Sequence, residues 1–582
     1  MYKRTDRQRQ IFGVESQLSE SLRTRLKESW AQIFNQEILS ILMSNEDRFS
    51  LLYGTTGRPN FSVARMLGLC LLQELNNLSD QQALDAFGFD LRWRYALDVD
   101  EQDAYLSRRS LVEFRRRLAA NDPEMKSVRI IFEQISKTAI KKLDLSTSDQ
   151  RVDSTHIVSN ICTRGRLALF NKTIDLFLKS LTVFQYSRVP KYIADWHQHE
   201  SNGWFGLGAG ERKAKLKQLA KYLNKLIAIF KRDKQVAADE PYQVLLRLFN
   251  EQCEIIAGKS GQKNKPDEQI KIKRKSTGET LQSPYDTDAS YGHKGKGYSV
   301  HITETCNNPK KKEIITDYEV HGAARSDVAK APDILDRLEA ADLKPETLFA
   351  DGGYPSVPSA VKVVERNVEF VAPVNRSSLP DEVMGRDQFK FDQQGHVSHC
   401  PMGHQPVDHR MLSANNGTGK SLYAIFDGDL CRKCNNLERC PVRAPNHRER
   451  GCKPQDTAGD FRLEITDGLC LRDRMFANQQ TKNWKDRYKI RSGVEATMSE
   501  LKRSHGMAKL RVRKLSKVCL AVACKVIACN IKRWAKAYAP TNHAHSRLLR
   551  RILVLLRQST PQLGRIWSIF RAMACRQFAC AA

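Results

Sequence analysis

The chain has 582 residues, of which 95 are Lys or Arg and 66 are Asp or Glu, giving a formal charge of +29. That length allows two to four domains, and the 41% apolar content excludes a mainly disordered chain. The basic excess runs along the whole sequence and points to a polyanionic partner such as nucleic acid.

Met1 to Gln10 is polar and basic, with no apolar h-region, and no apolar run reaches the roughly 18 residues of a membrane span. Neither a secretory signal nor a membrane partner is expected, and the 15 cysteines read as reduced thiols rather than a disulfide framework. Residues 15 to 120 carry helical spacing, in Ile38-Leu39-Ile41-Leu42 and in Val63-Met66-Leu67-Leu69-Leu72. Asn77-Leu78-Ser79-Asp80 offers an N-cap for the next helix. Leu106-Ser107, followed by Arg108, Arg109, Arg115, Arg116 and Arg117, predicts a basic helix. Residues 1–125 therefore read as a helical N-terminal domain suited to DNA, with residues 1–120 expected to bind it even in isolation; a bundle that only packs on the rest would carry the same pattern.

Near residue 149 the spacing changes. Asp149 to Ile161 alternates like a strand. Residues 163–280 return to helical spacing, rich in lysine and divided by the loop Gly203 to Gly210, and read as a helical insertion. Strand patterns resume at Tyr298–Thr305 and Glu313–Val320, an amphipathic helix covers 326–340, and short buried strands follow at Thr347–Asp351 and Val368–Val374. A cysteine-rich insertion spans 380–480, and one long helix is expected over 484–505. Such an order builds a mixed α/β sheet with two insertions over 140–540. Residues 541–582, interrupted by Arg550, Arg551, Arg557, Arg565, Arg571 and Arg576, read as a basic helical tail.

Three acids stand where chemistry could use them. Asp153 lies inside the first strand, Asp351 ends a strand at Gly352-Gly353, and Glu495 lies in the late helix. A charge within a strand core is costly unless a metal neutralises it. Two divalent ions about 4 Å apart, held by a few carboxylates, are a recurrent device for phosphodiester cleavage, and magnesium suits oxygen ligands of this kind. The late helix carries Tyr488, Arg491, Glu495 and Lys502 within a stripe roughly 60° wide. Arg491 and Lys502 could hold phosphates, Glu495 a metal, and Tyr488 a base or phosphate; an Arg491–Glu495 salt bridge at i,i+4 is the plainer reading.

Tyr488, Arg491, Glu495 and Lys502 resemble, at identical spacing, the Y-R-E-K signature of a large group of insertion-sequence DDE transposases. Asp153 in Val-Asp-Ser-Thr-His and Asp351 in Ala-Asp-Gly-Gly-Tyr are similar to that group's two aspartate motifs, and the helical start resembles an InsH-type N-terminal domain. The resemblance covers about residues 15 to 535. It implies a ribonuclease-H-like core, Mg²⁺ or Mn²⁺ at Asp153, Asp351 and Glu495, cleavage of DNA at the element's terminal inverted repeats, strand transfer into target DNA, and a homodimer in the DNA complex. A cytoplasmic, nucleoid-associated bacterial protein is expected. A nuclease that cuts without joining, and a non-catalytic repressor or decayed transposase, are the alternatives.

Two further segments bear on the site. Lys294 and Lys296 alternate with Gly292, Gly295 and Gly297, a flexible basic loop able to approach a phosphate backbone, although a plain β-turn would look the same. Asp286 and Asp288 nearby are not expected as ligands. Cys400, Cys431, Cys434 and Cys440 could close a structural zinc site, with His404, His409 or Cys452 as substitutes because Cys400 stands alone.

Overall fold

The structure is a computed structural model describing residues 1–5, 13–161, 165–199, 207–256, 269–274, 277–309, 312–328, 330–375, 384–413, 420–443 and 459–538. The expected tail 541–582, the alternative ligand Cys452 and the first half of the loop Gly203 to Gly210 lie outside the described residues. Among those residues no helix is long and apolar enough to cross a membrane.

The N-terminal quarter is helical, as the 3.6-residue spacing predicts. α1 (Val63–Leu75) is buried on nearly every side, so it must be surrounded rather than laid on a surface. Ser79 and Gln82 form the capping box that the Asn-Leu-Ser-Asp segment promised. α2 (Arg108–Asn121) is the arginine-rich helix and starts on a Ser107 cap. Three of its arginines already have acidic partners. Arg115 pairs with Asp80 at 2.7 Å, and Arg116 and Arg117 both reach Glu113. α3 (Lys126–Leu143) then delivers the chain to the sheet.

β1 (Asp149–Val158) is central. β2 (Gly295–Thr305) runs antiparallel on one side of it, followed by β3 (Ile315–Gly322), also antiparallel. α4 (Lys330–Ala340) leads to β4 (Thr347–Phe349), parallel to β1 on its other side, and β5 (Glu369–Val371) extends that edge in parallel. A short strand, Ser290–Gly292, forms a hairpin with the start of β2. Gly297 in β2 has φ +153, and a Cβ there would stand 2.0 Å from the Ile157 carbonyl; only glycine lets β2 lie so close to β1 at this point.

The late helix departs from the expectation of one continuous rod over 484–505. It is α5 (Lys482–Tyr488), a 3-10 turn at Lys489–Ser492, and α6 (Gly493–Arg503). The break has a cause in the sheet: the Arg151 guanidinium, from β1, donates to the Ile490 carbonyl at 2.8 Å. A carbonyl captured this way is withdrawn from the regular i→i+4 ladder. α7 (Leu515–Tyr538) closes the fold and packs on α1, α3 and β3. One apolar core runs through Leu67, Phe132, Ile302, Leu348 and Ile527, from the N-terminal helices to the sheet.

Both insertions carry cores of their own. In the helical one, Phe170, Phe177, Trp196, Leu223 and Phe230 pack together. In the cysteine-rich one, strands Asp408–Ser413, Lys420–Phe426 and Phe461–Ile465 form an antiparallel sheet over Phe389, Val397, Phe426 and Leu463.

Candidate active site

Strand alternation decides which β1 residues share a face: Arg151 and Asp153 are two apart and so point the same way. Asp153 is mostly buried, and the Ser154 backbone N–H donates to its Oδ1 at 2.8 Å. Asp351 lies just past the end of β4, where the Gly353 N–H donates to its Oδ1 at 2.9 Å. Because β1 and β4 are adjacent and parallel, both aspartates emerge at the same end of the sheet.

The turn between α5 and α6 brings the third acid. Arg491 Nη2 lies 2.7 Å from Asp153 Oδ2 and 3.8 Å from Asp351 Oδ2, and Arg491 Nη1 lies 3.3 Å from Glu495 Oε1. Three carboxylates separated by up to 342 positions thus surround one guanidinium. The i,i+4 pair of the sequence reading does form, as one part of a larger cluster. Glu495 is largely exposed, and burial pushes the Asp153 carboxyl above the usual carboxylate range, with Asp351 adding to the rise and Arg491 and the Ser154 N–H opposing it.

Tyr488 serves the framework. Its hydroxyl donates to the Ala350 carbonyl at 3.3 Å, and its ring stacks on Trp484 at 4.7 Å, over Phe349 and Val371. It seats α5 beside the Asp351 turn. Lys502 and Lys294 gather on the other flank. Burial lowers the pKa of Lys502, and proximity to Lys294 lowers it further. His156 is lowered by burial and then by both lysines. An open cavity of about 660 Å³ begins at Ser154 and is lined by His156, Tyr291, His293, Lys294 and Arg325. It is wide, and its wall carries Lys294 and Arg325 together with the acids Glu279 and Asp327. Lys296 lies at the start of β2 and is lowered by burial alone. Asp286 is occupied elsewhere: it accepts from Ser159 Oγ at 2.6 Å and from the Lys514 N–H at 3.0 Å.

Sequence reading missed the group that holds the cluster together. Arg151 Nε donates to buried Glu304 Oε1 at 2.8 Å, while Thr497 Oγ1 and Arg533 Nη1 donate to Glu304 Oε2 at 2.6 and 3.0 Å. With its other arm on Ile490, Arg151 ties β1, β2, α6 and α7 to the residue before Arg491. The available signal was an arginine within a strand, two positions from Asp153, where an unpaired charge would be costly.

The cysteines meet in the second insertion. Cys400, Cys431, Cys434, Cys440 and His404 line one small cavity with Phe426 and Leu437. Burial and then the neighbouring thiols Cys440, Cys400 and Cys434 push the Cys431 thiol up to about 12. The His/Cys/Asp/Glu trios whose ligand atoms all lie within 4.8 Å of one another, among the described residues, are elsewhere: His301, His321 and Asp327, and Glu500, His505 and Cys529.

Residues 399–535 match the family model described as transposase DDE domain, and residues 27–117 match that described as transposase domain (DUF772). Over those residues the chain is similar to DDE transposases. The first match contains Glu495, Arg491, Tyr488, Lys502 and the four cysteines; Asp153 and Asp351 precede it. The second covers α1 and most of α2. No curated protein and no solved structure matches the chain.

Proposed function

We propose that this transposase binds the terminal inverted repeats of its element and catalyses DNA cleavage and strand transfer, with Asp153, Asp351 and Glu495 as ligands of Mg²⁺ or Mn²⁺. The observation that carries the reading is the meeting of the three acids around Arg491. Their donor set is oxygen only, one member is buried, and the charge is balanced by a side chain that can swing away, which fits hard divalent cations. The oxygens are more widely spread than a single tight cage, as two ions about 4 Å apart would need. When bound, such ions supply Lewis acidity to the attacking and leaving oxygens of the scissile phosphate.

The chain's own residues have separable tasks. The N–H groups of Ser154 and Gly353 orient Asp153 and Asp351. Lys294 on the cavity wall, with Lys296 and Lys502 near it, receives the DNA backbone, and Tyr488 contacts it from the Asp351 side. Arg491, freed once its acids are balanced otherwise, turns to phosphate. Attack by water cuts the element end, and the released 3′-hydroxyl attacks a phosphate of target DNA. Two ends are processed by a homodimer, on the nucleoid in the cytoplasm. Three antiparallel strands followed by two parallel ones support a ribonuclease-H-like core. Cys400, Cys431, Cys434 and Cys440 hold a structural zinc; four thiols around one cavity are a donor set suited to it.

The test uses the full chain and a duplex carrying the element's terminal repeat. Glu495→Gln keeps the side-chain size and removes the charge. It should bind the duplex as wild type does and lose Mg²⁺-dependent nicking and strand transfer by about 10³-fold or more; Asp153→Asn and Asp351→Asn should match it, and the double changes should add little. Substantial nicking by Glu495→Gln would remove the assignment. Nicking without strand transfer by wild type would leave a nuclease.

A further inference from the structure

Beneath the aspartates lies a second group of metal-ligating side chains that no acid of the cleavage site enters. His301 on β2 is paired across the sheet with Ser154, the neighbour of Asp153. His321 sits near the end of β3, diagonally across from it, and Asp327 lies in the turn before α4. His301 Nε2 stands 2.7 Å from His321 Nε2 and 3.4 Å from Asp327 Oδ1. Both rings are buried, and Asp327 is partly exposed on the wall of the 660 Å³ cavity.

The hydrogen bonds behind these atoms decide what can lie between them. His321 Nδ1 is 2.9 Å from the Gly322 carbonyl, which only accepts, so Nδ1 carries a proton and Nε2 presents a lone pair. His301 Nδ1 is 2.6 Å from the Tyr354 hydroxyl, and Asp327 Oδ2 accepts from Ser154 Oγ at 2.6 Å. Each of the three side chains thus has its remote atom held by an outer partner and its near atom turned inward. That is how proteins orient metal ligands. Without a metal, His301 Nε2–H donates to His321 Nε2 while His301 Nδ1 accepts from the Tyr354 hydroxyl; with one, the His301 proton moves to Nδ1, both Nε2 atoms turn to the ion, and no charged imidazolium has to be buried.

We propose that His301, His321 and Asp327 bind one divalent transition-metal ion, distinct from the cations at Asp153, Asp351 and Glu495 and from zinc at the cysteines. Two imidazoles and one carboxylate suit Zn²⁺, Co²⁺ or Mn²⁺ and leave a coordination position free. A tetrahedral ion needs ring nitrogens about 3.4 Å apart, so the histidines part by about 0.7 Å from their 2.7 Å separation, while the 3.4 Å from His301 to Asp327 already fits. Asp327 on the cavity wall gives the entry route. The ion would lock the turn before α4 to the sheet and hold Ser154, whose backbone N–H orients Asp153. In the other compact trio, Glu500 is already paired with Arg533 at 2.9 Å.

The test uses the full chain, stripped with a chelator and returned to buffer with excess Mg²⁺ to fill the acid site, with Co²⁺ as the probe. Wild type should take up Co²⁺ at two places, one equivalent at the cysteines with a sulfur charge-transfer band and one further equivalent whose visible spectrum lacks it. Cys434→Ser should keep the second signal. His321→Gln and Asp327→Asn should weaken it at least about 100-fold; Asp327→Asn carries the test if His321→Gln fails to fold, because its side chain is partly exposed. Absence of the nitrogen- and oxygen-ligated signal in wild type, or its persistence in Asp327→Asn, overturns the proposal and leaves a proton shared between the two rings.

Discussion

Asp153 shows what a buried carboxylate costs a fold. Burial raises its pKa above the ordinary value even with Arg491 at 2.7 Å. A carboxyl raised on folding contributes stability that is complete below the unfolded pKa and is lost as pH rises through the folded one. At neutral pH the metal-free protein has lost that contribution. Metal-free Asp153→Asn, which carries no ionisable group there, should therefore melt at the same temperature as wild type or higher near pH 7, with the gap closing toward about pH 3. Thermal unfolding in the presence of chelator across that range reads the difference. A wild type clearly more stable than the variant at pH 7 would mean that the ion pair with Arg491 outweighs desolvation. On the proposed role of Asp153 as a metal ligand, activity and metal-free stability would pull in opposite directions at this residue.

At the level of elements, the break between α5 and α6 aims the site. A continuous helix would carry Arg491 and Glu495 in a regular stripe; the 3-10 turn, held by Arg151 on the Ile490 carbonyl, sets where α6 begins. Gly493 opens α6 against that guanidinium, and a Cβ there would stand 2.1 Å from Arg151 Nη1. Gly493→Ala must therefore displace either Arg151 or the start of α6. We expect a loss of about 1–3 kcal/mol in unfolding free energy and, because a shift near 1 Å in a catalytic group is worth about 10²-fold, a comparable fall in nicking with DNA binding retained. Equal nicking by Gly493→Ala would show that the Arg151 contact does not position Glu495.

Across the whole molecule, the helical start and the sheet share an apolar core, because α7 from the far end of the chain covers α1, α3 and β3. Residues 1–120 alone would leave the faces that meet α7 in water. The isolated fragment should therefore melt without a cooperative transition in circular dichroism; a sharp two-state melt would show an autonomous domain after all. With Arg115, Arg116 and Arg117 engaged by acids, its DNA affinity should also fall below what the arginine count suggests. The cysteine insertion, with its own small core, is the opposite case. Small cores gain much from a bound metal. Metal analysis should find about one zinc per wild-type chain at this site and its loss in Cys434→Ser, with the melting of the insertion lowered and that of the sheet core unchanged. Less than about half an equivalent in wild type would leave the four cysteines as free thiols.

Much of this was legible from the chain itself, because local patterns report local structure. The switch from helical to alternating spacing near residue 149 marked β1, the run of elements from β2 to β5 followed in the expected order, and Ser79 announced its cap. The spacing of Tyr488, Arg491, Glu495 and Lys502 is likewise a property of the sequence alone. What periodicity does not encode is which side chains from distant elements meet. The capture of Ile490 by Arg151, the Glu304 network beneath it, the use of Tyr488 as a strut against Ala350, and the pairing of His301 with His321 all depend on strand register and on helices arriving from positions hundreds of residues away. A charge buried in a strand announces in the sequence that a partner must exist. The identity of that partner is decided only when the sheet closes and desolvation leaves one arrangement in which every buried charge is met.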